Sequence, residues 1–407
     1  MQASFFTQNR KRLLKKLKPS SLVVLTAFTS MQRDVDQAFE FQQESNFWYL
    51  TGIEEPDWLL VIDADTGDEW LISPQLNRYQ KNFLGGLTPD RATSVSGVPK
   101  VLEQREGMIF LNKLRANKKQ VYTVVPESLR VYKFQPNPAP RKLVTKLKGS
   151  KIEDVRPIIA KLRAIKGPEE LEMIQRAVDI TIDGLAAVYA ELKNYTHENE
   201  IDAKLYYEFR RRGAVHGFDP IIASGQKTCV LHSPAMNDPL GHSLLLDVGA
   251  RVSNYTADIT RTIPIGTPSD RWLQVYEAVV RMHDHFLALL TPGASVKDVI
   301  MKNAYPFVGE EMRKLGLVDK VKLDHTSVFK FMPHAIAHGL GIDTHDPLGR
   351  PETFEEGMVL TDEVGVYIPD EGFGVRIEND IVITKDGARN MAAKLPITLP
   401  ELQKMLQ

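Results

Sequence analysis

The chain has 407 residues, 43% of them apolar, which is enough for two or three domains whose cores need no disulfide. Its 51 basic and 52 acidic residues leave a formal charge of -1, which excludes a global pull toward nucleic acid or anionic membrane. The single Cys229 excludes an intramolecular disulfide, and no apolar run reaches the roughly 18 residues of a membrane helix. Met1 to Lys18 is basic but lacks the continuous apolar stretch and small-residue cleavage site of a secretory signal. A cytoplasmic protein with no membrane partner and no nucleic-acid partner is expected.

The first half reads as mixed α/β. Strands are predicted at Ser20–Thr26, at Trp58–Asp63 and at Glu69–Ser73, the last two joined by the turn residues Asp65-Thr66-Gly67-Asp68 as a hairpin. Further short strands are predicted at Met108–Leu111, Gln120–Val125 and Leu143–Leu147, with a helix or turn starting at Pro126. From Ile152 to Ile165 apolar residues recur at helical spacing until Gly167-Pro168 interrupts them. A long helix then runs to Leu192, and Glu169, Glu170 and Glu172 complement the positive end of its dipole. Helices follow at about Glu200–Arg212, Arg271–Leu290 and Ser295–Leu315. The expected organisation is an α/β protein of two domains, a smaller one over residues 1–160 and a functional one over 161–407.

All ten histidines lie at or beyond His197, so histidine chemistry belongs to the second half. Four segments there carry the candidate residues. Leu244–Thr262 reads as two strands of a hairpin, with Asp247 and Asp258 where apolar side chains are expected. Buried ionised carboxylates need a partner: either a metal ion, or ordinary ion pairs with Arg261 and Arg281. Phe331–Asp346 holds His334, His338 and His345 among glycines, which predicts irregular backbone rather than a zinc-binding helix. Gly357–Val366 places Asp362 and Glu363 after an apolar strand. In Gly374–Thr384, alternation puts Arg376, Glu378 and Asp380 on one face and Val375, Ile377 and Asn379 on the other. By itself that polar face also reads as an exposed Arg–carboxylate ladder of little energetic worth.

Taken together, Asp247, Asp258, His338, Glu363 and Glu378 can hold two divalent ions about 3.5–4 Å apart. Oxygen-rich ligation without cysteine favours Mn2+, with Zn2+ and Co2+ chemically acceptable.

These residues also carry a resemblance. From about 160 to 400 the chain resembles the pita-bread metallopeptidases, the family of methionine aminopeptidase, prolidase and aminopeptidase P. The motifs around Asp247, A-D-I-T-R-T with Asp258, H-G-L-G with His338, L-T-x-E with Glu363 and R-I-E-x-D with Glu378 stand in the family's order. Phe41–Gly52, FQQESNFWYLTG, looks like the aromatic segment of the amino-terminal domain in the aminopeptidase P branch. A second reading of Phe47, Trp48 and Tyr49 is domain core.

The resemblance implies a smaller amino-terminal α/β domain serving substrate access and assembly, and a carboxy-terminal pita-bread domain. It implies that Asp247 holds one ion, that Asp258 and Glu378 bridge two, and that His338 and Glu363 complete the second site. It further implies that Glu363 moves the proton, that His232 and His345 bind substrate or the developing oxyanion, and that His334 lines the pocket. Arg376 is expected to orient Glu378. The implied reaction is attack of a metal-activated water on Xaa-Pro-Yaa peptides, releasing the first residue, in a homo-oligomer, dimer or tetramer. Prolidase activity on Xaa-Pro dipeptides and a non-catalytic peptide-binding or protein-binding role are the alternatives. Four positions depart from the family pattern: Val364 where Pro is usual, Ala335 where Gly is usual, and Gly339 and Ser233 where aromatics are usual.

Overall fold

The computed structural model describes residues 1–126, 134–319 and 325–405. The chain forms two compact units, Met1–Leu162 and Arg163–Gln407. Among the described residues no helix is long and apolar enough to cross a membrane.

The first unit is built on one six-stranded mixed sheet. In chain order its strands are β1 (Ser21–Thr26), β2 (Leu59–Asp63), β3 (Glu69–Ser73), β4 (Lys100–Glu103), β5 (Gln120–Thr123) and β6 (Ile152–Asp154), arranged β4-β3-β2-β1-β5-β6. All six residues of β1 are buried, as a near-continuous apolar run in a sheet covered on both faces should be. The expected β2–β3 hairpin forms, with Leu60 opposite Leu71. Helices α1 (Ala3–Leu14), α2 (Ser45–Thr51), α3 (Arg78–Leu84), α4 (Pro89–Ser96), α5 (Gln104–Ala116) and α6 (Ala139–Lys146) complete it.

Two expected strands are helices. Met108–Leu111 lies within α5, where Met108, Leu111 and Leu114 share one face against Ile72 and Val61. Leu143–Leu147 belongs to α6 and its end, with the two leucines one helical turn apart in the same core. Runs of four or five residues carry both periods, and packing against the sheet decides between them. The segment expected to follow Pro126 lies outside the described residues.

In α2, the Glu44 side chain accepts from the Phe47 amide at the helix start, and Gly52 closes the end at φ 67°. A Cβ on Gly52 would stand 2.3 Å from a Phe6 ring carbon, so only glycine fits. Phe47, Trp48 and Tyr49 are buried, and Trp48 meets Phe6 edge-on at 5.4 Å. They are domain core.

The stretch from Ile152 begins as the edge strand β6 before turning helical as α7 (Arg156–Ala164). In the second unit, α8 (Pro168–Glu191) starts where Pro168 needs no hydrogen-bond acceptor and the Glu170 carboxylate accepts from the Gly167 amide at 2.7 Å. The remaining helices are α9 (Glu198–Arg211), α10 (Asp270–Leu289), α11 (Tyr305–Lys314), α12 (His325–Val328) and α13 (Leu399–Met405). The expected Ser295–Leu315 helix opens with a π-helical turn, Asp298–Ala304, ahead of α11.

Strands β7 (Val215–His216), β8 (Ile221–Ser224), β9 (Ser243–Val248), β10 (Ala250–Val252), β11 (Tyr255–Thr256), β12 (Ile259–Pro264), β13 (Val359–Ile368), β14 (Phe373–Thr384) and β15 (Gly387–Asn390) follow. The main sheet runs β13-β14-β12-β9-β8, with β15 added to β14. β10, β11 and β7 form a small second sheet. Helix α10 packs on β13 and β14 with Trp272, Tyr276, Val279 and Phe286 buried, leaving the opposite face of that sheet for the polar residues.

Candidate metal centre

The strand register builds the site. Asp247 on β9 stands opposite Thr260 on β12, Thr260 stands opposite Glu378 on β14, and Glu378 stands opposite Glu363 on β13. Four neighbouring strands thus present one transverse row, and side chains in such a row share a face. Asp258 lies one residue before β12, where its amide donates to both oxygens of the Asp380 carboxylate at 3.1 and 3.2 Å.

His338 enters from outside the regular sheet. The Thr361 amide donates to the His338 carbonyl at 2.9 Å, and the Glu363 amide donates to Ile336 at 3.0 Å. The histidine segment is therefore pinned along β13, with the irregular backbone its glycines predict. His338 Nδ1 contacts the Gly339 carbonyl at 3.0 Å, which turns Nε2 toward the carboxylates. That nitrogen lies 3.5 Å from Asp258 Oδ2, 3.7 Å from Glu378 Oε1 and 3.8 Å from Glu363 Oε2. Ligand atoms of Asp258, His338 and Glu378 all fall within 4.8 Å of one another.

Arg376 completes the row from β14. Its guanidinium donates to Asp247 Oδ2, to the Thr260 hydroxyl at 3.1 Å and to the Tyr367 hydroxyl at 3.0 Å. It reaches Glu378 through Thr260, whose hydroxyl donates to Glu378 Oε2 at 2.7 Å. Sequence reasoning passed over Thr260 and Tyr367. Even spacing was the available signal, since Tyr367 is four residues beyond Glu363 on the same strand.

The ion-pair alternatives do not form. Arg261 donates to backbone carbonyls and to Asn379, while Arg281 pairs with Glu311. The face of β14 carrying Glu378 is not an exposed ladder, because Arg376, Glu378 and Asp380 are all buried.

Two of the other candidate histidines, His334 and His345, lie beside the row. His334 Nδ1 contacts the Ala335 carbonyl at 2.8 Å and lies 3.4 Å from Glu363 Oε1, while its Nε2 meets the Tyr367 hydroxyl at 2.9 Å. Burial, aided by the Arg376 charge, holds His334 down to about 4. The His345 ring lies 4.2 Å from that of His338. Desolvation and the neighbouring His338 and His232 hold His345 down to about 4 as well. His232, on the exposed stretch after the 3-10 turn Gly225–Cys229, acts electrostatically on both.

The donor set fits divalent cations. Burial and the charges of Asp247, Asp380 and Glu363 push Asp258 well above the usual carboxylate range. Burial and the charges of Asp258, Glu363 and Asp247 do the same to Glu378, and burial raises Glu363 to about 7. Asp247 Oδ1 and Glu378 Oε1 are buried without a hydrogen-bond donor among the described residues. Crowded carboxylates with unused oxygens are costly alone and are relieved by positive charge.

The Gly339 departure has a physical cause. A Cβ there would stand 2.3 Å from the Asp346 carbonyl oxygen and 2.7 Å from Leu348 Cγ, so no side chain fits after His338. Asp346 is buried and accepts from Arg163 and from Lys166 (3.1 Å), which anchors the turn carrying His345. Val364 is buried on the α10 side of β13, away from the row.

Four carboxylates and an imidazole converge on one sheet face, a combination whose chemistry fits divalent cations. Residues 172–385 match the pattern of "Metallopeptidase family M24", and residues 6–122 match "Aminopeptidase P, N-terminal domain". The chain belongs to metallopeptidase family M24, in its pita-bread fold with a preceding α/β domain. It is similar to human Xaa-Pro aminopeptidase 3, at 30% identity over 91% of this chain and 78% of that protein. It is also similar to the Escherichia coli Xaa-Pro aminopeptidase, at 29% identity over 98% of this chain and 97% of that one. The solved structure of aminopeptidase P from E. coli with the inhibitor Pro-Leu superposes with a TM-score of 0.88 at 26% identity, covering 100% of this chain and 98% of that one.

Proposed function

We propose that the chain is a metal-dependent aminopeptidase that releases the first residue from Xaa-Pro-Yaa peptides. The observation that carries the reading is the transverse row Asp247–Thr260–Glu378–Glu363, with His338 Nε2 within 3.8 Å of Glu363, Glu378 and Asp258. Near-full-length similarity to Xaa-Pro aminopeptidases supports the substrate class.

In this reading Asp247, Asp258, His338, Glu363 and Glu378 would hold the divalent ions, with Asp258 and Glu378 at the middle of the set between Asp247 on one side and His338 and Glu363 on the other. When bound, the ions activate a water and polarise the peptide carbonyl. Glu363 takes a proton at its carboxylate and returns it to the prolyl nitrogen. The prolyl nitrogen carries no hydrogen in the peptide bond, so selection works on ring shape. His345 and His232 offer N–H donors to the carbonyl oxygen as charge develops. A neutral His345 suits that role, because it donates without adding charge beside the cations. His334 fixes Tyr367 and the orientation of Glu363. Arg376 holds Asp247 directly and Glu378 through Thr260.

Manganese as the resident ion, a cytoplasmic setting, a homo-oligomer, and a first domain over residues 1–160 serving substrate access and assembly belong to the same proposal. The absence of a cysteine ligand supports manganese.

The test is product mass after incubating Mn2+-loaded protein with matched Xaa-Pro-Yaa, Xaa-Pro and Xaa-Ala-Yaa peptides, beside a chelated control. Chelator-sensitive release of the first residue from Xaa-Pro-Yaa is expected. Cleavage of Xaa-Pro alone would make the enzyme a prolidase. No cleavage with ions bound would refute the peptidase reading for these substrates.

A further inference from the structure

The face of the main sheet turned away from the candidate ligands carries a second polar set. Glu363 and Glu378 are paired in register across β13 and β14, and so are Asp362 and Asn379. Successive strand residues point to opposite faces, so Asp362 and Asn379 stand directly behind the two glutamates. Helix α10 covers them, and its His283 is buried between the two strands' rear side chains.

Each tie has a definite direction. The Asn379 amide nitrogen donates to His283 Nε2 at 2.7 Å, while its oxygen accepts from Arg261 Nη2 at 2.8 Å. Arg261 Nη1 in turn donates to the backbone carbonyls of Glu378 at 2.9 Å and Thr260 at 2.8 Å. The backbone that carries Glu378 is thereby held from behind by α10 and β12 together.

Asp362 is the unexpected member. It is fully buried, and neither carboxyl oxygen has a hydrogen-bond donor among the described residues. His283 Nε2 lies 3.6 Å from its Oδ2. A carboxyl group buried without a donor lowers stability, and an apolar side chain would fill the same space without that cost. Sequences retain such local conflicts chiefly where function uses them. Here the group sits one residue before Glu363 and faces the imidazole that ties β14 to α10.

We propose that Asp362, His283, Asn379 and Arg261 form a positioning set that fixes Glu363 and Glu378 from the rear face and so sets the affinity of the site for divalent cations. The proposal rests on the metal-site reading above. These residues touch neither substrate nor metal. Their effect runs through the backbone of β13 and β14.

The test compares Asp362→Leu, Asp362→Asn and His283→Phe with the parent chain. Three quantities are read: the Mn2+ dissociation constant by chelator competition, Tm in excess chelator, and kcat with KM on an Xaa-Pro-Yaa peptide. Asp362→Leu should leave Tm equal or higher, weaken Mn2+ binding on the order of tenfold, and lower kcat with KM unchanged. Asp362→Asn, which keeps a polar group facing His283, should recover most of the affinity. His283→Phe should weaken binding, and combining it with Asp362→Leu should add little. Parent-like affinity in Asp362→Leu at equal or higher Tm would overturn the proposal. So would a parallel fall of affinity and Tm that Asp362→Asn does not rescue, since that is the pattern of a merely structural residue. Because affinity is read with Mn2+ alone, a parent chain that binds the ion yet cleaves no peptide would refute the peptidase reading without deciding this one.

Discussion

At the scale of single residues, Glu363 has two proposed tasks that a conservative substitution separates. Glu363→Gln keeps the volume and one carbonyl oxygen but cannot accept the water's proton. Its kcat on Xaa-Pro-Yaa should fall about 10²- to 10⁴-fold, with a much smaller change in KM. Steady-state kinetics beside circular dichroism checks both the loss and the intact fold. Gly339 gives a second prediction of a different kind. A Cβ at 2.3 Å from the Asp346 carbonyl oxygen forces either that turn or His338 to move. Gly339→Ala should lower kcat by about 10²-fold, because displacements near 1 Å are enough for such losses. Unchanged kinetics in Gly339→Ala would mean that the turn yields without disturbing His338.

At the scale of elements, the histidine segment is held twice. Its backbone hydrogen-bonds along β13, and its far end is clamped where the Asp346 carboxylate meets Arg163 and Lys166. All three side chains are buried, so removing the anion takes this carboxylate from Lys166 and leaves Arg163 with Asp343 at 2.7 Å. Asp346→Asn should destabilise the second unit by about 3–5 kcal/mol, measured by denaturant unfolding. A loss below about 1 kcal/mol would show that the clamp is dispensable.

The same elements explain what was legible in the sequence. Strands β9 and β14 announced themselves because each carries a carboxylate within an apolar run, β13 because Asp362 and Glu363 follow one, and β12 because Asp258 stands just before it. Alternation alone separated Glu378 from Asn379, and the structure puts those two on opposite faces. Register was not legible. Nothing local in Thr260 says that it will stand opposite both Asp247 and Glu378, and nothing in His283 says that α10 will carry it behind β14. The Thr260–Glu378 and His283–Asn379 contacts span more than 90 residues of chain and are fixed by packing rather than by local pattern. Short runs failed for the related reason that one helical turn and one short strand fit the same four or five residues, as in α5 and α6.

At the scale of the whole molecule, the crowded carboxylates couple metal, pH and stability. With ions chelated, Asp258 and Glu378 hold their protons well above the usual carboxylate range, and Glu363 holds its proton to about 7. The unfolded chain gives up the same protons near 4 to 4.5. Between those limits the native state binds more protons than the unfolded state, so stability must fall as pH rises from about 4.5 through about 7. Each unit of separation contributes about 1.4 kcal/mol. Bound cations reverse the sign, because ligation requires the carboxylates ionised and releases their protons. The Tm gap between Mn2+-loaded and chelated protein should therefore be small near pH 5 and widen steadily toward pH 8. At a free ion concentration 100 times the dissociation constant, ligation contributes about 2.7 kcal/mol. Calorimetry of Mn2+ binding in buffers of different ionisation heat should register proton release, greatest below pH 7. A Tm gap that does not change with pH, together with no proton release, would mean that the carboxylates are already ionised in the chelated protein. The charges of Arg376 and His338 would then outweigh the burial of the row.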